Sequence, residues 1–203
     1  MPQLSRKDGN LNLIGNSEER WKRDFRRLLL SGPPNSGKTT STLTFPAPRH
    51  IIIVPGELGH SSIIEDGVET FKYFWEINEQ IDRDKATKLI HQIKLVISNI
   101  LQQEKVATVA LDGVHVLYQL ILNSLGWPND DTNFGEKAFG KGHNFARNEF
   151  CDIIRSLSLS KAEHFVATCY DGNESREKGV IELYPDLPGA MAIGARGGLS
   201  HMN

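Results

Sequence analysis

Cysteine is scarce in this chain, with only Cys151 and Cys169 in 203 residues. That is too few for a disulfide scaffold, and the pair matches no zinc-ligand spacing, so a reduced setting is expected. No apolar run approaches membrane-spanning length, and the first residues lack the apolar core of a signal peptide. A cytoplasmic location without a membrane partner follows as the expectation. Charge of one sign is missing as well: 23 Lys and Arg against 25 Asp and Glu leave a formal net charge of -2. There is accordingly no global attraction to nucleic acid or to an anionic bilayer, and any such binding has to come from local patches or from an assembly. Internal repeats and low-complexity tracts are absent too, which excludes solenoids and long linkers. With 39% hydrophobic and 24% charged residues, the composition is that of one well-buried globular domain.

What is present is one stretch of high specificity. Gly32-Pro33-Pro34-Asn35-Ser36-Gly37-Lys38-Thr39 satisfies the phosphate-loop pattern G-x-x-x-x-G-K-[ST] at every position. Its flanks suit it. Arg26-Arg27-Leu28-Leu29-Leu30 reads as a short buried strand, and Lys38-Thr39-Thr40-Ser41-Thr42-Leu43 opens a helix. Gly32 and Gly37 let the backbone turn its N–H groups inward, where they and the positive end of the helix hold phosphate oxygens. The expected cradle is Gly32, Pro33, Pro34, Asn35, Ser36, Gly37, Lys38, Thr39 and Thr40. Lys38 would reach the β- and γ-phosphates, and the Thr39 hydroxyl would complete the shell of a Mg²⁺ ion.

Ahead of the loop, residues 1–25 are polar and punctuated by Gly9, Asn10, Gly15 and Asn16, so they read as an N-terminal arm on a domain spanning 26–203. The arm ends in a charged segment, where Arg20, Lys22, Arg23, Arg26 and Arg27 cluster around Trp21 and Phe25. That cluster is either a solvated face or a contact for a neighbouring subunit or a nucleic-acid backbone.

Beyond the loop, His50-Ile51-Ile52-Ile53-Val54 is the clearest buried strand, and it runs into Pro55-Gly56-Glu57. A carboxylate just past a strand that neighbours the phosphate loop is where one class of ATPases keeps the base that orients the attacking water, which makes Glu57 the candidate. Residues 69–77 alternate as an edge strand, and residues 79–103 carry a helical apolar stripe. Val106-Ala107-Thr108-Val109-Ala110-Leu111-Asp112 then has the form of a Walker B strand, expected beside the phosphate-loop strand, with Asp112 binding the magnesium. Gly113 follows it instead of glutamate, so the adjacent Asp-Glu pair of most AAA+ and ABC-type ATPases is missing.

Residues 114–125 read as a helix on which His115 is a packed or surface histidine. Residues 126–142 are glycine-rich and irregular, with aromatics and lysines that can stack on bases, although acids outnumber the lysines. Residues 145–159 form the next helix, with Phe145, Phe150, Ile153, Ile154 and Leu157 inward. His164-Phe165-Val166-Ala167-Thr168-Cys169-Tyr170 is a core strand, Cys169 being inert packing. Residues 172–179 read as a charged turn and residues 180–184 as a further strand.

Taken together, the phosphate loop, the acidic turn after the second strand, the Walker B strand without its paired glutamate and the ending Tyr184-Pro185-Asp186-Leu187-Pro188-Gly189 resemble the small phage-encoded ATPases with a RecA-like core. Among these the chain is most similar to the Sak-type single-strand annealing ATPases, over roughly residues 26–190. The resemblance implies a RecA-like P-loop α/β fold with a mostly parallel central sheet flanked by helices. It implies ATP and Mg²⁺ as ligands, single-stranded DNA as partner, recombination or annealing as the process, and the host cytoplasm as the location. It carries over Lys38 and Thr39 as phosphate and magnesium ligands, Asp112 as the Walker B acid and Glu57 as the water-activating base. It places two DNA-facing loops after Gly126 and after Asp171, a polar side chain sensing the γ-phosphate beside Tyr170, and a closing strand beyond Gly198. Such ATPases work as homo-oligomers with nucleotide between subunits, for which Arg176, Lys178 or Arg196 would supply the neighbour's cation. A nucleotide-dependent assembly, loader or structural protein with slow or no hydrolysis is the alternative. A GTPase is disfavoured, because Asp112-Gly113-Val114-His115 departs from D-x-x-G and no N-K-x-D segment occurs.

Overall fold

The computed structural model describes residues 2–7, 10–16, 26–57, 63, 69–138, 140–177 and 180–185, with backbone alone for 2–16, for 26 and from 171 onward. Five strands run parallel in one sheet: β3 (Arg26–Gly32), β4 (Arg49–Ile53), β5 (Thr70–Tyr73), β6 (Thr108–Asp112) and β7 (His164–Glu177). Their spatial order is β3-β7-β6-β4-β5, and β8 (Val180–Pro185) pairs antiparallel with the far half of β7. This is the α/β P-loop fold expected from the sequence. Within the arm, β1 (Pro2–Lys7) and β2 (Asn10–Asn16) form a separate two-stranded antiparallel sheet.

Period-two alternation explains how the sheet is covered. Along β4 and the residue after it, Ile52 and Val54 join one buried cluster, while Ile51 and Ile53 join another on the opposite face. The larger cluster is roofed by three helices: α2 (Arg83–Leu101), α3 (Val114–Ser124) and α5 (Lys141–Ser158). Asp82 caps α2 by accepting from the Lys85 N–H at 2.8 Å, and Ala86, Leu89, Ile90, Ile93, Ile97 and Ile100 form its buried stripe. The smaller cluster takes in Ala110, Val166 and Ile63, against which Leu30, Leu43 and Phe45 pack. Phe145, expected on the inward side of α5, is 49% exposed instead; the buried stripe runs through Gly142, Ala146, Phe150, Ile153 and Leu157, and position 145 lies about 100° round the helix from it.

Two further expectations are corrected here. The Walker B strand does not lie beside the phosphate-loop strand, because β7 is inserted between β3 and β6 and pairs with both. Helical crossovers let strands distant in sequence become neighbours, and periodicity carries no information on that order. The strand leading to Glu57 is likewise separated from β3, since β4 lies between β6 and β5. Secondly, residues 172–177 are not a turn: β7 continues through them to Glu177 and returns as β8. Polar residues suffice there because a projecting antiparallel ribbon has no need of an apolar run.

Residues 126–140 are built from short pieces, with α4 (Asp131–Phe134) and a 3₁₀ turn at Glu136–Ala138. Arg83, the first residue of α2, pairs with Asp130 at 3.1 Å. Since α2 ends where the chain enters β6, this segment sits at the end of the sheet to which the parallel strands point. Trp127, Phe134 and His143 pack edge-on there, with ring centroids 5.0 to 5.3 Å apart.

The roof carries much of the stability. Ile93 is fully buried, so Ile93→Ala is expected to lower unfolding stability by roughly 2–5 kcal/mol. A urea midpoint equal to wild type would contradict the packing of α2 on this sheet.

Candidate active site

Register brings the chemistry together. Across the sheet, Leu30, Thr168, Asp112 and Ile53 stand in one row, and Gly32 lies opposite Tyr170 one pleat further on. Side chains that follow this row open into a crevice at the carboxyl ends of the strands.

On one wall is the glycine loop. Gly37 has φ 83°, a left-handed conformation in which a side chain is strained. The helix it opens, α1 (Lys38–Ser41), is a single turn followed by a 3₁₀ turn at Thr42–Thr44. It is shorter than expected, and so brief a helix contributes little dipole, so the cradle relies on loop N–H groups and Lys38. Lys38 Nζ donates to the carbonyls of Gly32 at 2.8 Å and Pro33 at 2.7 Å, and lies 4.6 Å from the centre of the Tyr170 ring.

Two carboxylates face that wall, Asp112 hydrogen-bonded at both oxygens and Glu57 lying between Tyr170 and His115. Asp112, 3% exposed, accepts from Thr39 Oγ1 at 2.8 Å on Oδ2 and from Thr168 Oγ1 on Oδ1. The Thr168 hydroxyl in turn accepts from the Gly113 N–H at 3.0 Å, which fixes its proton toward Asp112. Glu57 accepts from the Tyr170 hydroxyl at 3.2 Å on Oε2, while His115 Nε2 stands 3.3 Å from Oε1. The Glu57 and His115 side chains are only 10% and 12% exposed. Burial raises the Glu57 carboxyl above its ordinary value, and the Asp112 charge adds to the rise; the Tyr170 hydrogen bond and the Lys38 charge oppose it. Tyr170 is raised too, by burial first and then by Glu57.

The glycine after Asp112 has a steric reason. A Cβ on Gly113 would lie 2.4 Å from Glu57 Cγ and 2.8 Å from Glu57 Oε1, and the residue has φ 93°. Glu57 occupies the volume that a glutamate at 113 would need.

These groups surround a cavity of about 650 Å³. Pro34, Asn35, Ser36, Gly37, Lys38, Thr39, Thr40, Glu57 and Asp112 all line it, and Gly32 and Pro33 stand behind Lys38. Sequence reasoning missed Gly56, His115, Val116 and Thr168 among the lining residues. Thr168 carried a signal, a hydroxyl in the middle of an apolar strand. His115, read as packed or surface, stands near a carboxylate; its signal was its position three residues beyond Asp112, at the start of the next helix. Lys178 and Arg196, the Arg176 side chain, residues 20–25 and the Arg26 side chain of the basic cluster, Phe139 and the residues beyond Pro185 lie outside the described structure, whereas Arg27 of that cluster donates from Nε to the Ser158 carbonyl at 2.7 Å.

A family model described as an AAA domain matches residues 24–179, well over half of the chain. The lack of a glutamate at 113, which departs from most AAA+ ATPases, therefore does not take the chain outside that family. No curated protein matches the chain.

The perturbed Glu57 carboxyl has a consequence for stability. Folded Glu57 holds its proton more tightly than the unfolded chain, whose value is near 4.5. As pH rises past that value the unfolded chain releases its proton first, and stability falls until the folded form has released it too. Glu57→Gln is therefore expected to melt above wild type at pH 7, with the gap closing as pH drops below the ordinary carboxyl range. Thermal unfolding across pH checks this, and a gap that widens in acid contradicts it.

Proposed function

Because the chain belongs to the AAA-domain family, we propose that it binds ATP with Mg²⁺ in this cavity and hydrolyses it. One observation carries the reading: two acids converge with Lys38 and Thr39 on a single crevice. The loop N–H groups and Lys38 hold the triphosphate, Lys38 exchanging its carbonyl partners for the β- and γ-phosphates. The donors fit magnesium. Thr39 and Asp112 offer hard oxygens, and no cluster of three His, Cys, Asp or Glu side chains occurs among the described residues, so substrate phosphates and water complete the shell. When bound, the ion neutralises charge on the phosphates. Glu57 orients a water and accepts its proton while the water oxygen bonds to the γ-phosphorus. The bond from that phosphorus to the β,γ-bridging oxygen breaks, and its electron pair leaves on ADP. Raised above the ordinary carboxyl value, Glu57 is a better proton acceptor than an exposed glutamate.

The hydrolysis serves work on single-stranded DNA in recombination or annealing, in a homo-oligomer with nucleotide at subunit interfaces. This finer reading rests on the resemblance to phage RecA-like ATPases. It is also supported by the half-exposed Trp127 and by the ribbon that β7 sends out directly beyond Tyr170, both at the catalytic end of the sheet. A second reading, an assembly or loader protein with slow hydrolysis, is favoured by the charge of residues 126–142, where Asp130, Asp131 and Glu136 outnumber Lys137 and Lys141.

ATP turnover with and without single-stranded DNA, with molar mass measured in both conditions, separates the two: stimulation by DNA supports the first, and unchanged slow turnover the second. Lys38→Ala is expected to lose nucleotide affinity. Glu57→Gln should keep nucleotide binding and lose turnover by about 10²–10⁴-fold, and wild-type turnover in that variant would remove Glu57 from the mechanism.

A further inference from the structure

We propose that His115 is a positioning residue for ATP hydrolysis, gripping one oxygen of Glu57 while Tyr170 grips the other. The inference rests on the reading of Glu57 as the base. Three adjacent strands build the clamp: Glu57 follows β4, His115 follows β6 at the second position of α3, and Tyr170 lies on β7. Nε2 of His115 is 3.3 Å from Oε1, and the Tyr170 hydroxyl is 3.2 Å from Oε2. A carboxylate only accepts, so both partners donate, and one lone pair on each oxygen stays free for a water.

The clamp also has internal bracing. The His115 and Tyr170 rings are 4.3 Å apart at an interplanar angle of 48°, so each ring limits the rotation of the other. Gly113 completes it by leaving vacant the space into which Glu57 is pressed. A carboxylate on a turn would otherwise sample several rotamers. Held at both oxygens, it keeps one plane, and the proton passing from the attacking water meets a fixed lone pair. Rate depends steeply on such alignment, whereas affinity for the triphosphate, set by Lys38 and the loop, does not.

The test uses three variants of the full chain. His115→Gln keeps an N–H donor near Nε2, His115→Phe keeps the ring and its packing without the donor, and His115→Ala removes both. ATP turnover at saturation, KM for ATP and affinity for a non-hydrolysable ATP analogue are measured for each, with thermal midpoints. The expected result is that His115→Ala and His115→Phe lose roughly tenfold to a hundredfold in kcat with KM and analogue affinity unchanged, while His115→Gln keeps most of kcat. Wild-type kcat in His115→Phe would overturn the donor role and leave only packing. If His115→Ala does not fold, the Gln and Phe pair decides alone. Glu57→Gln is run alongside. Full turnover there overturns the reading of Glu57 itself, whereas full turnover in the His115 variants with Glu57→Gln inactive overturns only the clamp.

Discussion

The hydrogen bond from Thr168 to Asp112 is the contact on which the rest of the site depends. It crosses from β7 to β6, and it forms only because those strands are parallel, adjacent and in a register that sets residue 168 opposite residue 112. The same register places Gly32 against Tyr170 through the other edge of β7. A strand inserted between the phosphate loop and the Walker B acid is thus a spacer with functional side chains. It delivers a hydroxyl to one acid and, one pleat later, a phenol to the other. A slip of one residue would turn both side chains to the wrong face.

Separate anchoring resolves an electrostatic difficulty. Two acids at one crevice repel, and the second carboxyl is raised in part by the charge of the first. The structure answers this with dedicated donors for each acid and with a cation acting on the second. Lys38 lowers the Glu57 carboxyl from its place on the glycine loop, and the same ammonium lies over the Tyr170 ring. Any displacement of Lys38 from its carbonyl partners therefore alters the field at Glu57. The two acids differ in their surroundings: Asp112 is deeply buried among hydroxyls, and Glu57 lies near a phenol and an imidazole.

Much of this was legible in the residues. The glycine loop, the buried strands ending near Val54, Asp112 and Tyr170, and the helices over 83–101, 114–124 and from 145 to 158 follow from motif spacing and periodicity, whereas the start of the last helix at Lys141 fell in a stretch read as irregular. Glu57 and Asp112 were identified as the acids because each ends a strand in an acidic turn. The order of the strands was not legible, since a run such as Val-Ala-Leu-Asp reads the same whichever parallel neighbour it has. The continuation of β7 was hidden because Asp171 to Glu177 are polar, and polar residues look like a turn unless a partner strand is known. His115 and the Tyr170 hydroxyl were hidden for a related reason. Their importance lies in contacts across 58 and 113 positions of sequence, which no local pattern records.

The clash between Glu57 and any side chain at 113 bears on how such sites diversify. A base on the turn after β4 and a base directly after the Walker B aspartate occupy overlapping space, so they are alternative solutions and not additive ones. A side chain at 113 therefore requires Glu57 to leave its seat between Tyr170 and His115, so the two positions cannot be changed independently of one another.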